Sequence, residues 1–511
     1  MKKILINETP WQTRVAITRD GDLQNVYFSS HTTESLERSF YKGVITKILP
    51  GIQTAFVDIG QERAGFLHIS EIDRELAIHR MTASGQIEDI EDEDRHKPES
   101  FTRSQLDISK ILKEGETILV QVSKEPVYEK GAKLTTCFTL PGRFLVLMTN
   151  IPRIGISKKI ESKEERQRLK ELLSQNLPPG MGAIIRTTSE FQGAREILQD
   201  LNYLVDTWNT IQKRYKEANP KEKIYEDIDL PLQAVRDHLD DDVEMVITDD
   251  KETQARIYKF VKNIAPEHTH KVRFYEGPPS LFEKFTIENQ IEQALQRKVY
   301  LKSGGSIVIE TTEAMTVIDV NTGRYIGQSN LEDTILKTNL EAAEEITRQL
   351  RLRNIGGLIV IDFIDMASSG NRQKLFRAFE KTLKERDKFQ SVVLKVSEFG
   401  LVQMTRKRSG KTLIQQLTHQ CPTCHGLGFI KSLPNEAYAV LRKLKHELET
   451  AKKPGAQITL AVHPTVFNYI TSIEYNSILH LEKIYKCKVT LVSKDNCTVG
   501  VYKVDQTWAK K

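Results

Sequence analysis

At 511 residues the chain has room for several cores, and roughly two to five domains is the prior for such a length. Its 74 Lys and Arg against 69 Asp and Glu leave a formal charge of +5, too balanced to argue by itself for a polyanionic partner. Five cysteines, two of them inside one CPTC unit, do not make a disulfide framework, and the scatter of Cys137, Cys487 and Cys497 fits a reducing compartment.

The opening MKKILINETPW has only the short apolar run ILI before Asn7 and Glu8, too little for the core of a signal peptide. No stretch approaches the roughly 18 apolar residues that a membrane span requires. The expectation is a cytoplasmic protein without a membrane anchor. Residues 39–130 hold short alternating strands, YKGVITKILPG, TAFVDIG, AGFLHIS and ETILVQVSK, punctuated by Gly and Pro as in a small barrel. Between them lies QIEDIEDEDRHKPES, an acidic insertion with too little apolar surface to fold alone, expected to be a mobile surface loop.

Further along, Ser162 and Glu165 are spaced as a capping box for the helix KEERQRLKELL, which Pro178, Pro179 and Gly180 close off. A second helix follows, with Ile197, Leu201, Leu204, Val205, Trp208 and Ile211 on one face as core. Residues 296–417 alternate strands (KVYLKSGGSIVIE, AMTVIDVNTG, GGLIVIDFIDM, SVVLKVS) with long helical stretches, the order of a layered α/β domain. After CPTCHGLG, a final segment pairs the helix-like AYAVLRKLKHELETAKK with strands QITLAVH and KVTLVSK.

The run GGLIVIDFIDM places Asp362 and Asp365 in the most apolar stretch of the chain, where a carboxylate needs a partner or a metal. In AMTVIDVNTG the period of two puts Asp319 and Asn321 on one face. By the same parity Asp362 and Asp365 point to opposite faces if the strand stays extended. Asp362, preceded by Ile and Val, is the better candidate to join Asp319, and Asp365 is left a supporting role. Two carboxylates at the ends of neighbouring strands suit Mg²⁺, which takes few protein oxygens and keeps water and phosphate oxygens in its other positions. The competing reading makes these acids turn formers.

Cys421 and Cys424 in CPTCHG read as half of a tetrahedral zinc site. With one CxxC in the chain, either His419 or His425 helps locally or two chains share the ion; a redox CxxC is the alternative class. In the barrel, Phe56 shares the polar face with Thr54 and Asp58, and Phe66 shares its face with His68. Such aromatics stack single-stranded bases, unless they pack against a neighbouring domain. Basic residues gather at Lys158 and Lys159, at Arg186 and in TRKRSGK; such runs are usually solvated faces, and SGKT lacks the upstream glycine of a phosphate loop.

Together, IVIDFIDM, the upstream IDVNT, the downstream CPTCHG and the barrel opening FYKG with AFVDIG resemble the ribonuclease E/G family of bacterial endoribonucleases, through most of residues 36–430. The short C-terminal part, with no long Pro- and Arg-rich tail, is more similar to the ribonuclease G branch than to the ribonuclease E branch. The resemblance implies an α+β multidomain fold. Its parts would be an RNase H-like subdomain in two pieces (1–37 and 232–295), an inserted S1-type OB fold (38–133), a 5′-sensor (134–231), a DNase I-like catalytic subdomain (296–417), a zinc link (418–429) and a small C-terminal α/β domain (430–511).

It further implies Mg²⁺ held by Asp319 and Asp362 beside Asn321, and RNA stacked on Phe56 and Phe66 near Lys130. A 5′-monophosphate would be gripped by Arg186 and Thr187 with Gly142 and Val146 lining the pocket. Zn²⁺ would be shared by Cys421 and Cys424 of two chains in a homodimer, with a homotetramer open as an alternative. The implied activity is metal-dependent cleavage of single-stranded RNA in rRNA maturation and mRNA turnover, stimulated by 5′-monophosphate ends and leaving 5′-phosphate and 3′-hydroxyl products. A catalytically inactive RNA-binding scaffold and a DNA nuclease or phosphatase are the competing classes. Two features depart from the family pattern: the acidic insertion at 88–94, and Gln390 where a basic residue of the sensor pocket is expected.

Overall fold

The computed structural model describes residues 1–32, 35–73, 77, 107–126, 131–323, 331–387, 389–451, 456–494 and 503–508. The acidic insertion and Lys130 lie outside these residues. The chain forms two compact units, Met1–Gln416 and Leu417–Lys511. Among the described residues no helix is long and apolar enough to cross a membrane.

In the first unit, the strand Lys2–Glu8 pairs antiparallel with Gln12–Arg19 and parallel with Val243–Thr248, so segments far apart in sequence share one five-stranded sheet. Its residues are apolar on both faces because both faces are covered. Ile4 and Ile6 join the core beneath helices Leu230–His238 and Lys251–Ile264, while Leu5 joins the opposite core with Phe282, Ile287 and Ile291.

Strands Phe40–Leu49, Thr54–Asp58, Gly65–His68, Lys133–Thr135 and Thr117–Lys124 close into a barrel, because Phe40–Leu49 also pairs with Thr117–Lys124. Ile45, Ala55, Val57, Leu67, Val120, Val122 and Leu134 fill it. A Cβ on Gly43 would sit 2.3 Å from the Val57 side chain, which explains the glycine in that strand. The four strands suggested by the alternation are present; the fifth, three residues long, straddles the expected boundary at 133.

A four-stranded sheet, ordered Ile154–Ile156, Gly182–Ile185, Leu145–Met148, Thr139–Pro141, packs against helices Lys163–Asn176 and Ala194–Glu217. The second helix buries Ile197, Leu201, Leu204, Trp208 and Ile211 as its spacing suggests, with Val205 at the margin. The expected capping box at the first helix is half formed. Ser162 Oγ accepts from the Glu165 N–H at 3.2 Å, but the Glu165 carboxylate accepts instead from Arg168 and from the Phe191 N–H.

The remaining sheet of this unit has six strands, ordered Lys298–Tyr300, Ser306–Thr311, Met315–Asn321, Gly357–Asp362, Leu401–Arg406, Ser391–Val393. Helices Leu331–Leu352 and Ser369–Arg386 cover one face through Ile346, Leu350, Phe379 and Leu383. Strand 401–406 is an element the patterning did not reveal. Its last residue, Arg406, belongs to the TRKRSGK run expected to be solvated, yet its side chain is fully buried. Both Arg406 Nε and NH2 bind the buried carboxylate of Asp387, at 2.6 and 3.0 Å, and NH1 donates to the Ile355 carbonyl.

The second unit folds around a three-stranded sheet, with Ala456–Val462 central, Lys488–Ser493 parallel to it and Lys503–Trp508 antiparallel. Helices Leu433–Ala451, Pro464–Ser472 and Tyr475–Tyr485 contribute Leu444, Val466, Ile470 and Ile478 to its core.

Candidate active site

Alternation delivers the first acid to the surface. In Met315–Asn321 the residues Thr316, Ile318 and Val320 are buried, leaving Asp319 and Asn321 exposed on the other face. In Gly357–Asp362 the buried pair is Ile359 and Ile361, so Asp362 emerges at the strand end. The two strands are parallel and in a register that makes Asp319 and Asp362 direct neighbours, roughly 4.8 Å apart along the hydrogen-bonding direction. Asn321 Nδ2 donates to Asp319 Oδ2 at 2.8 Å and fixes that carboxylate. Burial first, and then the like charges of Asp319 and Asp365, push the Asp362 carboxyl above its ordinary range.

The extended stretch ends at Asp362, so the parity argument, which holds only while the strand stays extended, assigns no face to Asp365. Asp365 also crowds Gly400, where a Cβ would lie 3.2 Å from its Oδ1 and 2.5 Å from the Phe363 carbonyl.

The donor set fits a hard divalent cation: two adjacent carboxylates whose mutual repulsion a cation would relieve, plus one amide. Among the described residues no group of three or more His, Cys, Asp and Glu could by itself cage a metal. An ion here would therefore keep most of its positions for water or substrate oxygens, as Mg²⁺ does.

A second cluster forms at the turn joining Thr139–Pro141 to Leu145–Met148. The Gly142 N–H donates to the Leu145 carbonyl at 2.8 Å, and the Arg186 N–H reaches the Phe144 carbonyl at 2.9 Å. Arg186 NH1 then donates to the Gly142 carbonyl at 2.6 Å and to Asp237 Oδ1 at 2.7 Å. Half-buried Val146 pairs with Ile184, and Thr187 Oγ1 lies 3.2 Å from Ser157 Oγ. The four residues suggested for a terminal phosphate thus gather at one end of one sheet. Two carboxylates beneath them went unnoticed in the sequence. Asp200, half-buried, accepts from the N–H groups of Arg143, Phe144 and Leu145 at 3.2, 2.9 and 3.3 Å and holds the turn. Burial would raise the Asp237 carboxyl, but Arg236 and Arg186 hold it far below the ordinary range. Neither acid has a local spacing that marks it: Asp200 is defined by N–H groups of another element, and Asp237 by Arg186 from another element as well as by its neighbour Arg236.

In the barrel, Phe56 and Phe66 are directly opposite across antiparallel strands, both half-buried, on the face away from the fully buried Ala55, Val57 and Leu67. Lys130 is outside the described residues, so its placement beside them is not part of this geometry.

In the second unit, CPTCHG forms a turn in which the His425 N–H donates to the Cys421 carbonyl and the Leu427 N–H to the Cys424 carbonyl, each at 2.9 Å. His425 and Gly426 take left-handed backbone, and the next helix begins only at Leu433 rather than at the CxxC itself, which disfavours the redox class. Backbone N–H groups of Cys424 and Thr423 lower the Cys421 thiol below its ordinary range. Both thiols are free.

The sequence model of the Ribonuclease E/G family matches residues 139–409, a span that holds the aspartate pair and the Arg186 cluster. Ribonuclease G of Escherichia coli K12 is 39% identical over 442 residues, 86% of this chain and 87% of that protein. The chain belongs to the ribonuclease E/G family. Ribonuclease G of Haemophilus influenzae is 37% identical over 477 residues, 93% of each chain. Ribonuclease E of the same organism is 35% identical over 499 residues, 97% of this chain but 51% of that protein.

A separate model, described as the thioredoxin-like domain of RNase E/G, matches residues 420–507. It gives the expected small C-terminal α/β domain a more specific description. Membership of the ribonuclease E/G family also meets the expectation of an endoribonuclease.

Proposed function

We propose that the chain is a Mg²⁺-dependent endonuclease that cuts single-stranded RNA in rRNA maturation and mRNA turnover, leaving a 5′-phosphate and a 3′-hydroxyl. The observation that carries this reading is the register of Asp319 against Asp362, two carboxylates side by side at an open strand end with Asn321 bonded to the first. When bound there, Mg²⁺ supplies neutralisation of phosphate charge and a more acidic water. Asp319 and Asp362 would hold it, each contributing carboxylate oxygens. Asn321 fixes the orientation of Asp319 through Oδ2, which leaves Oδ1 for the ion; its own amide oxygen can accept from water, and its second amide hydrogen can donate to an oxygen of the scissile phosphate. Phe56 and Phe66 offer stacking surface to bases that single-stranded RNA leaves unpaired.

The Arg186 cluster supports a role in reading 5′ ends. One guanidinium nitrogen is occupied by Gly142 and Asp237, which orients the planar fork, and its other edge suits phosphate oxygens. Thr187 adds a hydroxyl, and Gly142 with Val146 forms the wall. In this reading 134–231 is the sensor, 1–37 with 232–295 the RNase H-like part, 38–133 the S1-type domain and 296–417 the DNase I-like catalytic part. Cys421 and Cys424 would bind one Zn²⁺ together with the same pair of a second chain, giving a homodimer.

The test is cleavage of matched RNA and DNA oligomers, the RNA carrying either a 5′-monophosphate or a 5′-triphosphate. Cleavage of RNA alone, faster with the monophosphate and with that preference lost in Arg186→Ala, is expected. Equal cleavage of DNA, or no cleavage in Mg²⁺, would sink the proposal; the latter is the outcome expected of a catalytically inactive RNA-binding scaffold.

A further inference from the structure

Phe191 combines two unfavourable features. Its side chain is 77% exposed, and its backbone has φ +59°, a conformation that is a genuine outlier for a bulky L-residue. The conformation is nonetheless pinned from both sides. Glu165, whose carboxylate would otherwise complete its own helix cap, is buried and accepts from the Phe191 N–H at 2.9 Å. Arg168 binds both oxygens of that carboxylate at 2.8 and 2.6 Å and donates to the Gln192 carbonyl at 2.9 Å. One ion pair therefore holds the Phe191 N–H on one side of an exposed phenyl ring and the Gln192 carbonyl on the other. Strain held in place by its surroundings is a mark of function.

Its position suggests which function. From Arg186 and Thr187 the chain makes a tight turn, with the Ser189 N–H on the Arg186 carbonyl and the Glu190 N–H on the Thr187 carbonyl, both at 3.1 Å. Hydrogen-bonded turns of this kind keep their ends within about 7 Å, and Phe191 is the next residue. We propose that Phe191 is a stacking platform for the nucleobase at the 5′ end of RNA. This rests on the reading of Arg186 and Thr187 as the terminal-phosphate pocket. A nucleotide whose phosphate is held there brings its base within reach of the ring, and a preset, rigid aromatic costs little ordering on binding. Purines, with more surface to stack, should be preferred as the first base.

The experiment measures KM and kcat on one single-stranded RNA with a 5′-monophosphate and adenine, uracil or no base at the first nucleotide, together with a 5′-hydroxyl version. The proteins are wild type, Phe191→Gly, Phe191→Tyr and Arg186→Ala. Glycine adopts φ +59° readily, so Phe191→Gly removes the ring without disturbing the turn. Expected is a rise in KM of about 5- to 150-fold on the adenine RNA in Phe191→Gly, the equivalent of stacking one base. In the same variant kcat is held, the abasic RNA is little affected, and Phe191→Tyr restores binding. An unchanged KM in Phe191→Gly, while Arg186→Ala loses the monophosphate preference, overturns the stacking role and leaves the phosphate pocket standing. A preference intact in Arg186→Ala overturns the pocket and with it the place assigned to the base. Should Phe191→Gly change the mass measured by light scattering, with adenine and abasic RNA alike in KM, the ring belongs to a protein contact and the proposal fails.

Discussion

Removing the carboxylate of Asp387 should destabilise the catalytic sheet more than almost any other single polar substitution. The Arg406 and Asp387 side chains are 0% and 1% exposed, joined by two parallel bonds, and the guanidinium also lies 4.7 Å from the Phe389 ring centroid. Asp387→Ala leaves a full positive charge in this site with two of its nitrogens stripped of acceptors and only the Ile355 carbonyl retained. Breaking one partner of a buried pair costs about 3–5 kcal/mol. Because Arg406 ends strand 401–406 opposite Gly357, the loss falls on the strand that carries Asp362. Urea unfolding of wild type, Asp387→Ala, Arg406→Met and the double variant Asp387→Ala with Arg406→Met checks this. Each single substitution should cost several kcal/mol, and the apolar double variant less than their sum. A cost below about 1 kcal/mol for Asp387→Ala, or strict additivity in the cycle, would refute the reasoning.

Two further outcomes follow from the site geometry. Asp237 has its carboxyl held below the unfolded value, so its stabilisation is present above pH ~4 and is lost as pH falls through that value toward the folded one. Wild type should therefore lose stability more steeply than Asp237→Asn between pH 5 and 3 in thermal unfolding; equal slopes would contradict the pairing. For the CPTC turn, chelation of zinc or Cys421→Ser should halve the mass seen by light scattering, and an unchanged mass would count against a zinc shared between chains.

What could be read from the sequence was governed by local period. Alternation exposed Asp319, Asn321 and Asp362 and assigned Phe56 and Phe66 to the outer barrel face, because side-chain direction in a strand depends only on neighbours. It does not extend to Asp365, since nothing local announced that the strand ends at Asp362. Register was out of reach as well: a helix separates the two aspartate strands, and only packing sets Asp319 against Asp362. Arg406, Asp387, Asp200 and Asp237 were hidden for a related reason. A buried charge is tolerated because of a partner, and for Arg186 and Asp237 that partner is 51 residues away. The parallel pairing of Lys2–Glu8 with Val243–Thr248 was equally out of local reach, because the partners lie far apart in the chain. Glu165 met the spacing of a capping box, yet tertiary structure turned its carboxylate toward Phe191.

The central claim is that Asp319 and Asp362 form the catalytic metal site, and Asp362→Asn tests it most directly. The isosteric amide keeps the strand and removes one charge, so RNA binding by filter retention should remain within about twofold while cleavage in Mg²⁺ falls by roughly a thousandfold or more, the several kcal/mol that a bound metal contributes. An Asp362→Asn enzyme that cuts the same RNA at the wild-type rate would contradict the account.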